Sequence, residues 1–286
     1  GDVYKRQLQH LLIGEVWLCA GQSNMVMPLN GFDYCPISDS NNVIADAPNH
    51  PGIRMVTIKP TVKLSPQEYA EGSWQQPTTE NAPKFSAAAY HYALTLQRTL
   101  QIPIGVITCA WGGSRVEGWL PKEILQTYKD EDLTLIGSDK TPVYLQSMLM
   151  YNGILYPCHK YTIKGFIWYQ GESNVRSSRT YAERLATMVK HWRSIWKQGD
   201  LPFYYVETVP FACEYKEDGY IGALLREAQQ KALSLIPNSG MIGTNDLVET
   251  YEAPQVHPHN KKGIGERLAY MSLNTVSYTH LTLPTT

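Results

Sequence analysis

The chain lacks what several large classes of protein need. It has no Cys-x-x-Cys pair. Its five cysteines, Cys19, Cys35, Cys109, Cys158 and Cys213, stand far apart, which indicates neither a structural zinc site nor a dense disulfide framework. No apolar run approaches the roughly 20 residues of a membrane span, and no secretory signal is visible at the start. There is no long basic run, and 25 Lys and Arg face 26 Asp and Glu; this argues against nucleic acid or an anionic membrane as the main partner and suits a small, mostly neutral substrate. Internal repeats and low-complexity segments are also missing.

What remains can bury a full core. With 286 residues and 43% hydrophobic content, the length fits one large α/β domain. The 19 Tyr and 7 Trp suit sugar binding and equally suit an ordinary core. Residues 1–7 and 276–286 carry no periodic pattern that continues into their neighbours and resemble translated adapter sequence. The expected domain is therefore 8–275, with both ends non-native.

Short apolar runs alternate with longer segments of helical period, the pattern of a parallel sheet covered on both faces by helices. The runs Glu15–Ala20, Ile53–Ile58, Ile104–Ala110, Ile163–Tyr169, Phe203–Thr208 and a weaker Met241–Thr244 predict strands. Helices are predicted over 86–100, 179–197 and 222–236, with further ones around Tyr144–Leu155 and Lys261–Leu273. In the helix over 179–197, Arg184 and Arg193 fall largely opposite the apolar stripe. The polar, proline-bearing stretches Met27–Pro51 and Pro60–Lys84 read as loops over the rim.

In an open parallel sheet, ligands bind at the carboxyl ends of the strands, and four of those ends carry chemistry. The first leads into Gly21-Gln22-Ser23-Asn24, where Gly21 permits a sharp exit and Ser23 is presented as a nucleophile. The others lead into Trp111-Gly112-Gly113-Ser114, Gln170-Gly171-Glu172-Ser173-Asn174, and through Asn245-Asp246 to Val256-His257-Pro258-His259. A serine needs a base, and an imidazole with a pKa near ~6.5 suits that task, so activity is expected to fall as pH drops through that value. It also needs N–H donors for the oxyanion. Taken alone, each motif has a plain structural reading, from a helix cap to a tight turn.

Together, Gly21-Gln22-Ser23-Asn24-Met25, Trp111-Gly112-Gly113-Ser114, Trp168-Tyr169-Gln170-Gly171-Glu172-Ser173-Asn174 and Val256-His257-Pro258 resemble, in order, the motif blocks of the sialate O-acetylesterase branch of the SGNH hydrolases. The resemblance runs from about Leu8 to Leu273. It implies an α/β three-layer αβα, flavodoxin-like fold and hydrolysis of O-acetyl esters on sialic acid or on an acetylated polysaccharide such as xylan, through an acetyl-enzyme. It also implies Ser23 as nucleophile, His257 as base, and an oxyanion hole made by the Ser23 amide, a glycine amide from Gly112 and Gly113, and the Gln170 side chain. No cofactor is required. Secretion or periplasmic residence is expected.

The third triad member departs from the family, whose members often carry Asp two or three residues before the histidine. Here Pro254 and Gln255 stand there. Glu252, Asp246, or a Ser–His dyad with a backbone carbonyl on the ring are the open replacements. Asn24, Glu172 and Arg115 are candidates for touching substrate. Glu172 can instead tie its loop to backbone amides, and Arg115 can pair with Glu117. Trp111, Trp119 and Trp168 are candidates for a sugar face, or for the core. Two rival functions stay open: a catalytically silent sugar-binding protein, and a metal-dependent hydrolase using His257 and His259.

Overall fold

All six apolar runs become strands of one sheet in a computed structural model, which describes residues 11–211, 220–252 and 254–274. They are β1 (Glu15–Gly21), β2 (Ile53–Thr57), β3 (Ile104–Ala110), β4 (Gly165–Tyr169), β5 (Phe203–Val206) and β6 (Ser239–Ile242). The order is β2-β3-β1-β4-β5-β6, and every neighbouring pair is parallel. The two suspect ends, 1–7 and 276–286, lie outside the described residues.

Because successive side chains point to opposite faces, β1 feeds two cores at once. Trp17 and Cys19 join Met55, Val106, Ile167 and Tyr204 on one face. Leu18 and Ala20 join Val56, Ile107, Phe166, Trp168 and Tyr205 on the other. The first face is covered by α3 (Ala87–Leu100) and α7 (Lys261–Ser272), the second by α5 (Ser178–Trp196) and α6 (Ile221–Leu235). This is the expected three-layer α/β arrangement, with β1 in the middle of the sheet. Trp17, Trp119, Trp168 and Trp192 are fully buried, and burying a large apolar side chain is worth about 1.5–3 kcal/mol.

Local signals explain the helix ends. Ser86 caps α3, its hydroxyl accepting from the Ala89 amide, and Gln101 and Lys197 close α3 and α5 in the left-handed region. Three expectations need correction. The stretch Met27–Pro51 contains a helix, α2 (Ser40–Asp46), whose short polar sequence leaves no apolar stripe to read. The predicted helix at Tyr144–Leu155 is instead a 3-10 turn, Val143–Leu145, and a π turn, Tyr151–Leu155. Arg184 and Arg193, placed opposite the apolar stripe, are buried. Arg184 pairs with Glu117 at 2.5 Å and Asp130 at 2.6 Å. Arg193 donates to the carbonyls of Leu201, Pro237 and Asn238, which is how such groups tolerate burial.

The chain leaves β1 for the far edge at β2, returns through β3, and then crosses to β4 on the other side of β1. The carboxyl end of β1 is thus the point where the winding reverses, the usual place for a ligand in such sheets.

Candidate active site

The backbone at the end of β1 is arranged to deliver Ser23. Gly21 has φ of 142°, and a Cβ on it would lie 2.1 Å from the Tyr169 carbonyl oxygen, so only glycine fits. The Gln22 amide donates to that same carbonyl at 3.0 Å. The Gln22 Oε1 accepts from the amides of Gly171 and Ser173, each at 3.3 Å. Ser23 then opens α1 (Ser23–Val26). Its own amide, at the first helical position, has no intrahelical acceptor.

The ring of His257 meets it. His257 Nε2 lies 2.7 Å from Ser23 Oγ, and for that nitrogen to accept the serine proton the ring must carry its hydrogen on Nδ1. Burial, and then the charge of Lys261, push the imidazole down to about 4. The ring is walled by Phe32, edge-on at 5.3 Å, and by Tyr34 at 6.2 Å. The backbone carbonyl of His257 accepts from Cys35 Sγ at 2.9 Å.

Beside the serine, the position of a Cβ on Gly112 would lie 3.7 Å from Ser23 Cβ. The strict glycine of this pair is Gly113: its φ is 74°, and a Cβ there would meet the Tyr144 ring at 2.7 Å. The backbone amides of Ser23, Gly112 and Gly113 have no protein partner among the described residues.

Neither carboxylate suggested for the triad reaches His257. Glu252 is turned to its own loop, accepting from the amides of His259 at 2.8 Å and Glu249 at 3.0 Å and pairing with the His259 ring at 2.5 Å. Asp246 is exposed and holds Arg267 at 2.8 Å. His257 Nδ1 is buried with no partner among the described residues. His257 and His259 therefore serve different partners.

Gln170 also departs from its expected place. It is wholly buried, and its Nε2 donates to the Ser114 carbonyl at 3.0 Å and Asn174 Oδ1 at 2.8 Å, which occupies both amide hydrogens. Asn24 and Glu172 face inward rather than toward a substrate: Asn24 Nδ2 donates to Glu172 Oε1 at 2.8 Å and to the Val256 carbonyl at 2.9 Å. Arg115 is held by Glu131 at 2.6 Å, with Glu117 farther away at 3.7 Å. Trp119 and Trp168 are core.

Residues 13–274 match the family model described as a carbohydrate esterase, sialic acid-specific acetylesterase. The chain belongs to this family. Human sialate O-acetylesterase is 26% identical in a match that covers 92% of this chain and 53% of that protein. The mouse sialate O-acetylesterase is 24% identical, covering 95% and 58%. The chain thus spans about half the length of the curated relatives it matches. Among solved structures, a carbohydrate acetylesterase from Xanthomonas citri superposes with a TM-score of 0.81 at 30% identity, covering 93% of this chain and 57% of that one. An Arabidopsis thaliana protein shares the fold, with a TM-score of 0.60 at 20% identity over 91% of this chain and 98% of that one.

In this acetylesterase-family chain, a cavity of about 450 Å³ opens beside α1, lined by Val26, Pro28, Phe32, Lys84, Thr108 and Ala110. A smaller one of about 210 Å³ lies at the amino ends of the strands, near Gly14, Arg54 and Trp74, far from the nucleophile. Three site residues escaped the reading of the sequence. Gln22 is a neighbour of Ser23 whose Nε2 has no partner among the described residues. Phe32, in a stretch read as loop, forms the wall of the histidine. Lys261, whose side chain is wholly buried, follows His257 by four residues at the start of a helix, where a lysine ordinarily reads as solvated.

Proposed function

We propose that this chain is a serine esterase that removes O-acetyl groups from sugars, with Ser23 as nucleophile and His257 as base. The 2.7 Å contact between Ser23 Oγ and His257 Nε2 carries the reading. Ser23 Oγ attacks the acetyl carbonyl as its proton passes to Nε2. The amides of Ser23 and Gly112, without partners among the described residues, receive the developing oxyanion. The imidazolium then protonates the departing sugar alcohol, and water, activated by the same nitrogen, releases acetate from Ser23. The cavity beside α1 is wide enough for a sugar ring, and Phe32 gives it an apolar wall next to the histidine. Sialic acid is the substrate class favoured by the family's description, with acetylated xylan as the alternative. A secreted or periplasmic location accompanies this reading.

A second reading, a sugar-binding protein without turnover, draws on the bare Nδ1 of His257. A triad carboxylate would orient the ring and stabilise the imidazolium; among the described residues none bonds its Nδ1. One assay separates the two: acetate release from O-acetylated sialic acid and acetylated xylan by the wild type and by Ser23→Ala. The esterase reading expects a loss of roughly 10³-fold or more in Ser23→Ala. Sugar binding without release of acetate in the wild type favours the second reading.

A further inference from the structure

One amide joins the two halves of the site. Asn24 follows the nucleophile, and its Nδ2 donates to the carbonyl of Val256, which precedes the base. Its second hydrogen goes to Glu172 Oε1 at 2.8 Å. Its Oδ1 accepts from Lys261 Nζ at 2.6 Å. Asn24 and Lys261 are both wholly buried. A lysine has three donors and no acceptor, so it faces the oxygen of this amide and directs the nitrogen at Val256.

We propose that Lys261 is a positioning residue for the Ser23–His257 pair: through Asn24 it fixes the chain segment bearing His257 against the helix bearing Ser23. The proposal rests on the esterase reading above. Removing the lysine leaves Asn24 Oδ1 buried without a donor and frees the amide to turn. The usual cost of such an orphaned acceptor is enough to loosen the pair.

The same lysine acts on the ring by its charge. Groups facing it are Glu172 from the loop after β4, Cys35 from the loop after α1, and Glu252, with the Tyr169 ring of β4 at 5.4 Å. Farther along α7, α3 brings His91 and Tyr92 against Gly265, and Tyr92 bonds Ser272. Burial pulls Lys261 down to about 7, so it is cationic where His257 titrates. A cation there disfavours the imidazolium, and its removal moves the acid limb of activity to higher pH.

The test is acetate release from p-nitrophenyl acetate as a function of pH by wild type, Lys261→Met, Lys261→Gln and Ser23→Ala, with thermal melts to confirm folding. Lys261→Met is expected to lose about tenfold or more in kcat with KM within about twofold, and to raise the acid limb of kcat/KM by about half a pH unit to one unit. Lys261→Gln retains a donor for Asn24 without the charge. It is expected to recover most of kcat while the limb stays displaced, and it carries the test if the methionine variant does not fold. A folded variant with wild-type kcat and an unmoved limb overturns the proposal. So does a kcat loss with the limb in place, which marks a merely structural lysine. Full turnover by Ser23→Ala sinks the esterase reading and this role together; a dead Ser23→Ala beside an unmoved limb sinks this role alone.

Discussion

As the proposed base, His257 sets the pH behaviour of the site. Only the neutral ring accepts a proton, and burial together with the Lys261 charge moves its titration from the ordinary 6.5 to about 4. The expectation from sequence, an acid limb near ~6.5, is the unperturbed value, and the buried ring overrules it. The folded value is depressed, so the ring stays neutral above about pH 4 and loses competence as pH falls through it. kcat/KM for a neutral ester is thus expected to be flat from roughly pH 5 to pH 7, and a limb at the free-imidazole value would contradict the buried geometry. Ser23 and His257 were legible as candidates because four motif blocks, each a weak signal alone, follow one another in order along the chain. Lys261 was not, because its partner Asn24 lies 237 residues away and only folding joins them. The Gln170 amide is consumed by the Ser114 carbonyl and by Asn174, contacts that the motif itself does not show.

At the scale of elements, β1 and its exit do most of the positioning. The apolar runs were readable because strands of a parallel sheet are covered on both faces and so carry continuous hydrophobic sequence. The turns between Val143 and Leu155 were not, since periodicity does not distinguish an α-helix from 3-10 and π turns packed into a core. Gly21 offers the sharpest check on the exit. Its φ of 142° and the 2.1 Å approach to the Tyr169 carbonyl forbid a side chain. Gly21→Ala is expected to destabilise the fold by about 1–3 kcal/mol through strain alone and to depress activity in whatever fraction still folds. Thermal melting and acetate release on the same preparation check both; a variant with wild-type values would refute the close approach of β1 to β4.

For the whole molecule, sheet order and chemistry agree. The strand-end motifs arrive from 23, 112 and 257, and the reversal of winding at β1 gathers them at one rim. Three layers and a parallel sheet were legible from the alternation of runs and helices, while the sugar was not, because the lining of the cavity beside α1 comes from loops whose shape is set by packing. In the proposed reaction acetyl passes from sugar to Ser23 and then to water. Rapid acid quenching of the enzyme with an O-acetylated sialic acid, followed by peptide mass analysis, tests it most directly. One added acetyl group is expected on the peptide containing Ser23, absent in Ser23→Ala. Steady release of acetate with Ser23 never modified, and undiminished in Ser23→Ala, would contradict it.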